Sequence, residues 1–235
     1  MRALSTAFNW AYSAWAAALL GNLKSHFDAV VCITVNTPPL PPCDHTIKWT
    51  NASVVGIPSS LPGWGRPMWA KLLLLGTEFR RYDEVWFLDA DQTVLPGITI
   101  SFPTTSSAVS IVHDINDNTG RYREFNMKWC ENINILNKQF NLRKDPHSVY
   151  LSNIVVLRPR LLLDPSHYMR RTQSFFRQYG MHCNRLHDQT IFHVLFWDEL
   201  GSIRQPKWLK HHFHFTRFGA RLHFNLVIQE ASPLT

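Results

Sequence analysis

The residues of this chain best suited to chemistry are Asp89 and Asp91, two carboxylates separated only by Ala90. They directly follow the apolar run Val85-Trp86-Phe87-Leu88, which reads as a buried strand. Carboxylate oxygens are hard donors that bind Mn2+ or Mg2+. A cation held by two of them can also grip the oxygens of a diphosphate and neutralise its charge. The competing reading is structural, since Asp is common in the polar turn that ends a strand and an Asp-x-Asp tripeptide arises often by chance. Position carries more weight than composition here, because an open α/β sheet presents the carboxyl ends of its strands to ligands.

Three further features could serve the same chemistry. Lys71 lies within Trp69-Ala70-Lys71-Leu72-Leu73-Leu74-Leu75, where an ammonium is awkward unless it reaches solvent or an anion. Asp188, followed by Gln189, opens a helical pattern and has the chemistry of an N-cap that accepts backbone N–H groups. Residues 210–216, Lys-His-His-Phe-His-Phe-Thr, alternate with period two. In extended form they put His212, His214 and Thr216 on one face and Phe213 and Phe215 on the other. A histidine there serves either as a hydrogen-bonded surface residue or as a metal ligand, and a stand-alone zinc site lacks further clustered ligands.

These residues need a frame, and the chain is long enough to build one. At 235 residues and 45% apolar content it holds a single sizeable core, so one domain over 1–235 is expected. Residues 3–8 read as a strand. Tyr12, Trp15, Ala16, Leu19, Leu23 and Phe27 share one helical face, and residues 29–35 form a β-branched strand. Strand, helix, strand is a crossover unit and implies parallel pairing. Pro38, Pro39, Pro41 and Pro42 enforce an extended loop up to about His45, and a short strand at 53–57 precedes a second loop at 58–67. Beyond these come a helix at 69–79, strands at 84–88, 108–112 and 149–157, and helices around 123–139, 167–179 and 188–200.

Composition narrows the partners. Charged residues at 17% and aromatic residues at 13% exclude disorder as the main state. A net charge of +7 suits an anionic partner: nucleic acid, an acidic membrane or a phosphorylated small molecule. The stretch 3–21 is weakly hydrophobic for a membrane span, so no transmembrane segment is expected. Cys32, Cys43, Cys130 and Cys183 form neither a CxxC pair nor a zinc-finger spacing, which leaves the redox compartment open. The sequon Asn51-Ala52-Ser53 matters only in the secretory pathway, so Golgi lumen and cytoplasm both remain as locations.

The block from Trp69-Ala70-Lys71-Leu72 to Tyr82-Asp83-Glu84-Val85-Trp86-Phe87-Leu88-Asp89-Ala90-Asp91-Gln92-Thr93-Val94-Leu95 resembles the centre of the family 8 glycosyltransferases, glycogenin-like and plant glucuronosyltransferase-like. A second block agrees in order and spacing: Val149-Tyr150-Leu151-Ser152-Asn153-Ile154-Val155-Val156-Leu157-Arg158-Pro159, then His187-Asp188-Gln189-Thr190. Thr6-Ala7-Phe8-Asn9-Trp10-Ala11-Tyr12 resembles the family's nucleotide-binding first strand and turn, so the resemblance spans roughly residues 3–218, with 219–235 as a tail. It implies a GT-A, Rossmann-like α/β domain with a mixed, mainly parallel central sheet flanked by helices. The implied activity is metal-dependent, configuration-retaining transfer of a hexose or related sugar from a UDP-sugar to a glycan, protein or lipid acceptor. Carried over, Asp89 and Asp91 would bind Mn2+ or Mg2+ and Ala90 would meet the ribose through its backbone. Asn9 and Tyr12 would lie against the uridine, and Lys71 would face the sugar nucleotide. Asp188 and Gln189 would stand nearest the anomeric carbon. His214 would be the third metal ligand, with His212 as the alternative register.

The family pattern also fails in places. No Lys-Pro-Trp follows His214, so a lysine contact to diphosphate is absent or replaced by Arg217 or Arg221, and Leu151 and Asn153 stand where Asn and Gly are expected. Two rival readings follow: a divergent member that binds nucleotide or glycan without turnover, and a basic nucleic-acid-binding protein. The second finds no recognised binding motif, so no nucleic-acid partner is expected.

Overall fold

Strands covered on both faces are written as near-continuous apolar runs, and three such runs build the centre of this molecule. They are Arg2–Phe8 (β1), Ala29–Thr34 (β2) and Glu84–Leu88 (β4), each almost wholly buried. The computed structural model describes residues 1–39, 42–49, 67–113, 150–162, 164–179, 195–196, 200–203 and 206–211. Within them, His45–Lys48 (β3), Val109–His113 (β6), Tyr150–Leu157 (β7) and Leu200–Ile203 (β8) complete a sheet of order β3-β2-β1-β4-β7-β6-β8. β1 pairs in parallel with β2 and β4, β2 with β3, and β6 with β8, whereas β7 runs antiparallel to both β4 and β6. The sheet is thus mixed and mainly parallel. A separate antiparallel ladder joins Gln92–Val94 (β5) to Leu209–His211 (β9).

Each face of the sheet has its own core. On one, the helix Ser13–Leu23 (α1) packs Ala16, Leu19, Leu20 and Leu23 against Leu4, Phe8, Val30, Trp86 and Leu88. Burying a leucine this completely contributes about 1.5–3 kcal/mol. On the other face, residues 69–75 and the helix Pro165–Tyr179 (α2) pack Trp69, Leu72, Tyr168 and Phe175 on Val85, Phe87, Val155 and Leu157. Among the described residues no helix is long and apolar enough to cross a membrane.

The structure corrects the sequence reading in four places. The helix expected over 69–79 is instead two 3-10 segments, Pro67–Leu75 and Thr77–Phe79. Residues 69–75 are buried all round, which erases the polar stripe that would mark a 3.6-residue period. The break falls at Gly76, whose backbone is extended (φ -70°, ψ 171°) between the two segments. α1 is shorter than the apolar face from Tyr12 to Phe27, its ends being 3-10 turns over Trp10–Tyr12 and Lys24–His26. β3, β5, β8 and β9 were not foreseen, being only three or four residues long. Finally, Cys32 and Cys43 form a disulfide, with Cα atoms 5.9 Å apart. The β2–β3 register, which sets Val31 beside His45, brings them together. The strand expected at 53–57 and the helix at 123–139 lie outside the described residues; of the helix expected at 188–200, Leu195 and Phe196 are helical and Leu200 already belongs to β8, the rest lying outside the described residues.

Candidate functional site

From β1 the chain steps outward to β2 and β3, then returns to β4 on the other side of β1. The strand order therefore reverses between β1 and β4, and the crevice outside their carboxyl ends is where such sheets bind ligands. Asn9 leaves β1 at this crevice and Asp89 leaves β4 there. The backbone extends the edge further, Val35 N–H donating to the Phe8 carbonyl at 2.9 Å.

The acidic pair sits on a tight turn. Asp89 N–H donates to the Asn153 carbonyl at 2.9 Å, and Gln92 N–H returns to the Asp89 carbonyl at 3.1 Å. Ala90 is buried within this turn. Lys71, only 3% exposed, places Nζ 2.8 Å from Asp89 Oδ1 and 5.7 Å from the Phe87 ring centre. Of the two readings open for Lys71, the ammonium reaches an anion and not water. Asp91 is pushed up to about 7, first by burial and then by repulsion from Asp89, with Lys71 offsetting part of it. The Tyr12 hydroxyl is raised by burial and then by the charges of Asp91 and Asp89, so it lies within their field.

Asn9 has a local task as well. Its Oδ1 accepts the Ala11 N–H at 3.0 Å and caps the 3-10 turn that carries Tyr12. Next to it, Trp10 is 69% exposed, an indole left at the rim of the crevice that sequence reasoning passed over. Its one available signal was an aromatic residue directly after the polar end of an apolar strand. Asn153 was noticed only as a departure from the family pattern; the strand register makes it the neighbour of Asp89.

The donor set suits a hard divalent cation. Asp89 holds the Lys71 ammonium, and Asp91, raised by burial and then by Asp89 beside it, is an acid whose ionised form a divalent cation would stabilise. Among the described residues no group of three or more metal-ligating side chains forms, so any third protein ligand lies elsewhere. β9 bears on this: His211 pairs with Gln92, so the strand ends beside the acidic turn. His212, His214, Asp188, Gln189, Arg217 and Arg221 lie outside the described residues. Of the predicted site residues, the structure brings Tyr12, Lys71, Asp89, Ala90 and Asp91 together, with Asn9 on the same edge.

This fold is the GT-A type α/β fold of glycosyltransferases. The chain is similar to the galactosyltransferase LgtC, solved in complex with donor and acceptor sugar analogues, at a TM-score of 0.59 and 12% identity over 99% of this chain and 97% of that one. It is similar also to the bifunctional glycosyltransferase WbbM in its apo form, with a TM-score of 0.57 and 15% identity over 96% of this chain, which spans 44% of WbbM. A third likeness is to the glycosyltransferase GlyE of Streptococcus pneumoniae TIGR4, with a TM-score of 0.50 and 13% identity over 87% of this chain and 46% of that one. No protein-family profile matches the chain, and no curated protein matches it by sequence.

Proposed function

We propose that the chain is a metal-dependent, configuration-retaining glycosyltransferase of the family 8 type, transferring a hexose or related sugar from a UDP-sugar to a glycan, protein or lipid acceptor. One observation carries the reading. Asp89 and Asp91, with Lys71 bound to the first, stand at the crevice where strand order reverses, in a fold similar to that of sugar-transferring enzymes.

The roles follow from chemistry. Asp89 and Asp91 would hold Mn2+ or Mg2+ with His214, or His212 in the alternative register; β9 ends at the motif, which favours a ligand from the segment after it. When bound, the cation neutralises charge on the departing nucleoside diphosphate. Lys71 adds fixed positive charge under the same oxygens. Asn9, Tyr12 and the exposed Trp10 flank the space for the nucleoside, and a planar base can stack on an indole. Asp188 and Gln189 are assigned to the anomeric carbon, where an oxygen stabilises positive charge as the bond to the diphosphate breaks and the acceptor hydroxyl bonds to the same carbon, its proton passing to the departing diphosphate.

The test is Mn2+-dependent hydrolysis and transfer across a set of UDP-sugars, comparing the unmodified chain with Asp89→Ala and Asp91→Ala. Loss of turnover in both variants, with thermal unfolding intact, is the expected result. Equal turnover in all three proteins would reject the assignment. Calorimetric binding of UDP without turnover in the unmodified chain would place it among non-catalytic relatives.

A further inference from the structure

We infer that Asn153 is a positioning residue for Asp89, fixing the carboxylate that the cation would use; the inference rests on the metal-dependent reading above. β4 and β7 are antiparallel, with Phe87 opposite Val155 and Leu88 opposite Ile154. One step further, Asp89 stands opposite Asn153, and the 2.9 Å bond from Asp89 N–H to the Asn153 carbonyl fixes that juxtaposition. Residues opposed in this way project to the same face of a sheet, with Cβ atoms about 5 Å apart.

The face is identified by its neighbours. Phe87 and Val155 belong to the core cluster that contains Ala70 and Leu72, the residues on either side of Lys71, whereas Leu88 and Ile154 belong to the opposite cluster. Side chains alternate along a strand, so Asp89 and Asn153 fall on the Lys71 side. The 2.8 Å ion pair between Lys71 and Asp89 agrees with that placement.

Asn153 is also out of character with its strand. It is 5% exposed, and the four residues after it, Ile154, Val155, Val156 and Leu157, are fully buried and apolar. An amide in such a setting costs free energy unless its polar atoms are used. A carboxamide brings two N–H donors, whereas an ionised carboxylate only accepts, with about four lone-pair sites. Lys71 engages one oxygen of Asp89. A second donor on the same face stops rotation of the carboxylate and leaves its remaining lone pairs aimed into the crevice. Lysine alone, a point charge on a flexible stem, sets no such orientation.

The experiment uses the full chain and Mn2+ alone as probe, with affinity read from the electron paramagnetic resonance of free Mn2+ and folding from thermal unfolding. Asn153→Val and Asn153→Thr have the same shape and both suit a strand, so they share any packing loss and differ in one hydroxyl. Asn153→Val is expected to weaken Mn2+ binding about tenfold and Asn153→Thr no more than about threefold, as for loss and partial retention of an outer-shell partner. Equal affinities of the Val and Thr variants overturn the positioning role. If Asp89→Ala abolishes Mn2+ binding in that same experiment, the metal reading stands without it. Undiminished Mn2+ binding by Asp89→Ala overturns the metal reading and the inference together.

Discussion

Two edges of one sheet hold aspartates under opposite regimes. At the edge where β1 and β4 begin, acids are matched: Arg2 Nε lies 2.7 Å from Glu84 Oε1. On the same side, Asp164 caps α2 by accepting the Ser166 N–H at 2.6 Å. Its carboxyl is held below the usual range by the Ser166 side chain and N–H, with help from Arg170 and Arg80. At the carboxyl edge the same residue type is crowded and buried, and Asp91 is pushed up to about 7. The first edge uses its acids to stabilise the fold. The second carries charge against folding, which is what a site suited to a cation should do.

The largest expected effect breaks the second regime outright. Asp89→Ala or Asp91→Ala should lower Mn2+-dependent turnover by at least about a hundredfold, since loss of outer-shell partners alone costs 10–100-fold at metal sites. The check is a steady-state assay of UDP release, and Glu84→Gln at the matched edge should leave it within about twofold.

Next in size is the covalent brace of the carboxyl edge. The Cys32–Cys43 bond closes the base of the loop that leaves β2 beside Asn9, over a separation of 11 residues. Asp44 reinforces it by exchanging two hydrogen bonds with the Val30 backbone, at 2.8 and 2.9 Å. Cys32→Ser with Cys43→Ser should cost about 3 kcal/mol of stability, by the loop-closure argument. Calorimetry with and without reductant measures it. If dithiothreitol leaves the transition of the unmodified protein in place, the edge owes its rigidity to hydrogen bonds alone.

Asp91 makes the contrast measurable through pH. A carboxylate raised from near 4 to about 7 keeps its proton in the folded state while the unfolded chain has lost it. Stability of the metal-free protein therefore falls as pH rises from about 4 to 7 and is flat above, the reverse of an ion-paired acid. Asp91→Asn should remove that slope and raise Tm at pH 8 by several degrees. Mn2+ competes with the same proton, so its affinity should drop as pH falls below about 7. A Tm unmoved by Asp91→Asn at pH 8 would place Asp91 on the same footing as Asp164.

How much of this was legible beforehand depends on range. β1, β2, β4 and β7 were readable because each is a run of buried residues long enough to stand out, and Asp89 and Asp91 because they follow such a run directly. Lys71 could be flagged but not placed, since its partner is 18 residues away and only the fold brings Asp89 to it. The disulfide was invisible for the same reason: 11 residues and a proline-rich loop separate its cysteines, and strand register closes the gap. Short strands such as β5 and β9 owe their existence to each other and carry too few residues for a period to show.

The smallest expected effect tests the matched edge by itself. Asp164 precedes Pro165, and a proline at the first helical position already lacks the N–H that a cap would otherwise have to satisfy. The carboxylate thus serves the next donor, Ser166. Asp164→Ala should lower stability as loss of an N-cap does, and Asp164→Asn much less, because the amide oxygen still accepts. Lowering pH should reproduce part of the loss: the folded-state value is depressed, so its stabilisation is present above the unfolded value and fades as pH falls through the folded one. Asp91 instead predicts a gain at higher pH, as pH falls from about 7 to about 4. Chemical denaturation of Asp164→Ala and Asp91→Asn between pH 2 and 8 should therefore separate them: the Asp91→Asn difference curve slopes between about pH 4 and 7, whereas that of Asp164→Ala is flat there and slopes in the opposite sense only below about 4, and slopes of the same sign would show that the two edges do not differ in kind.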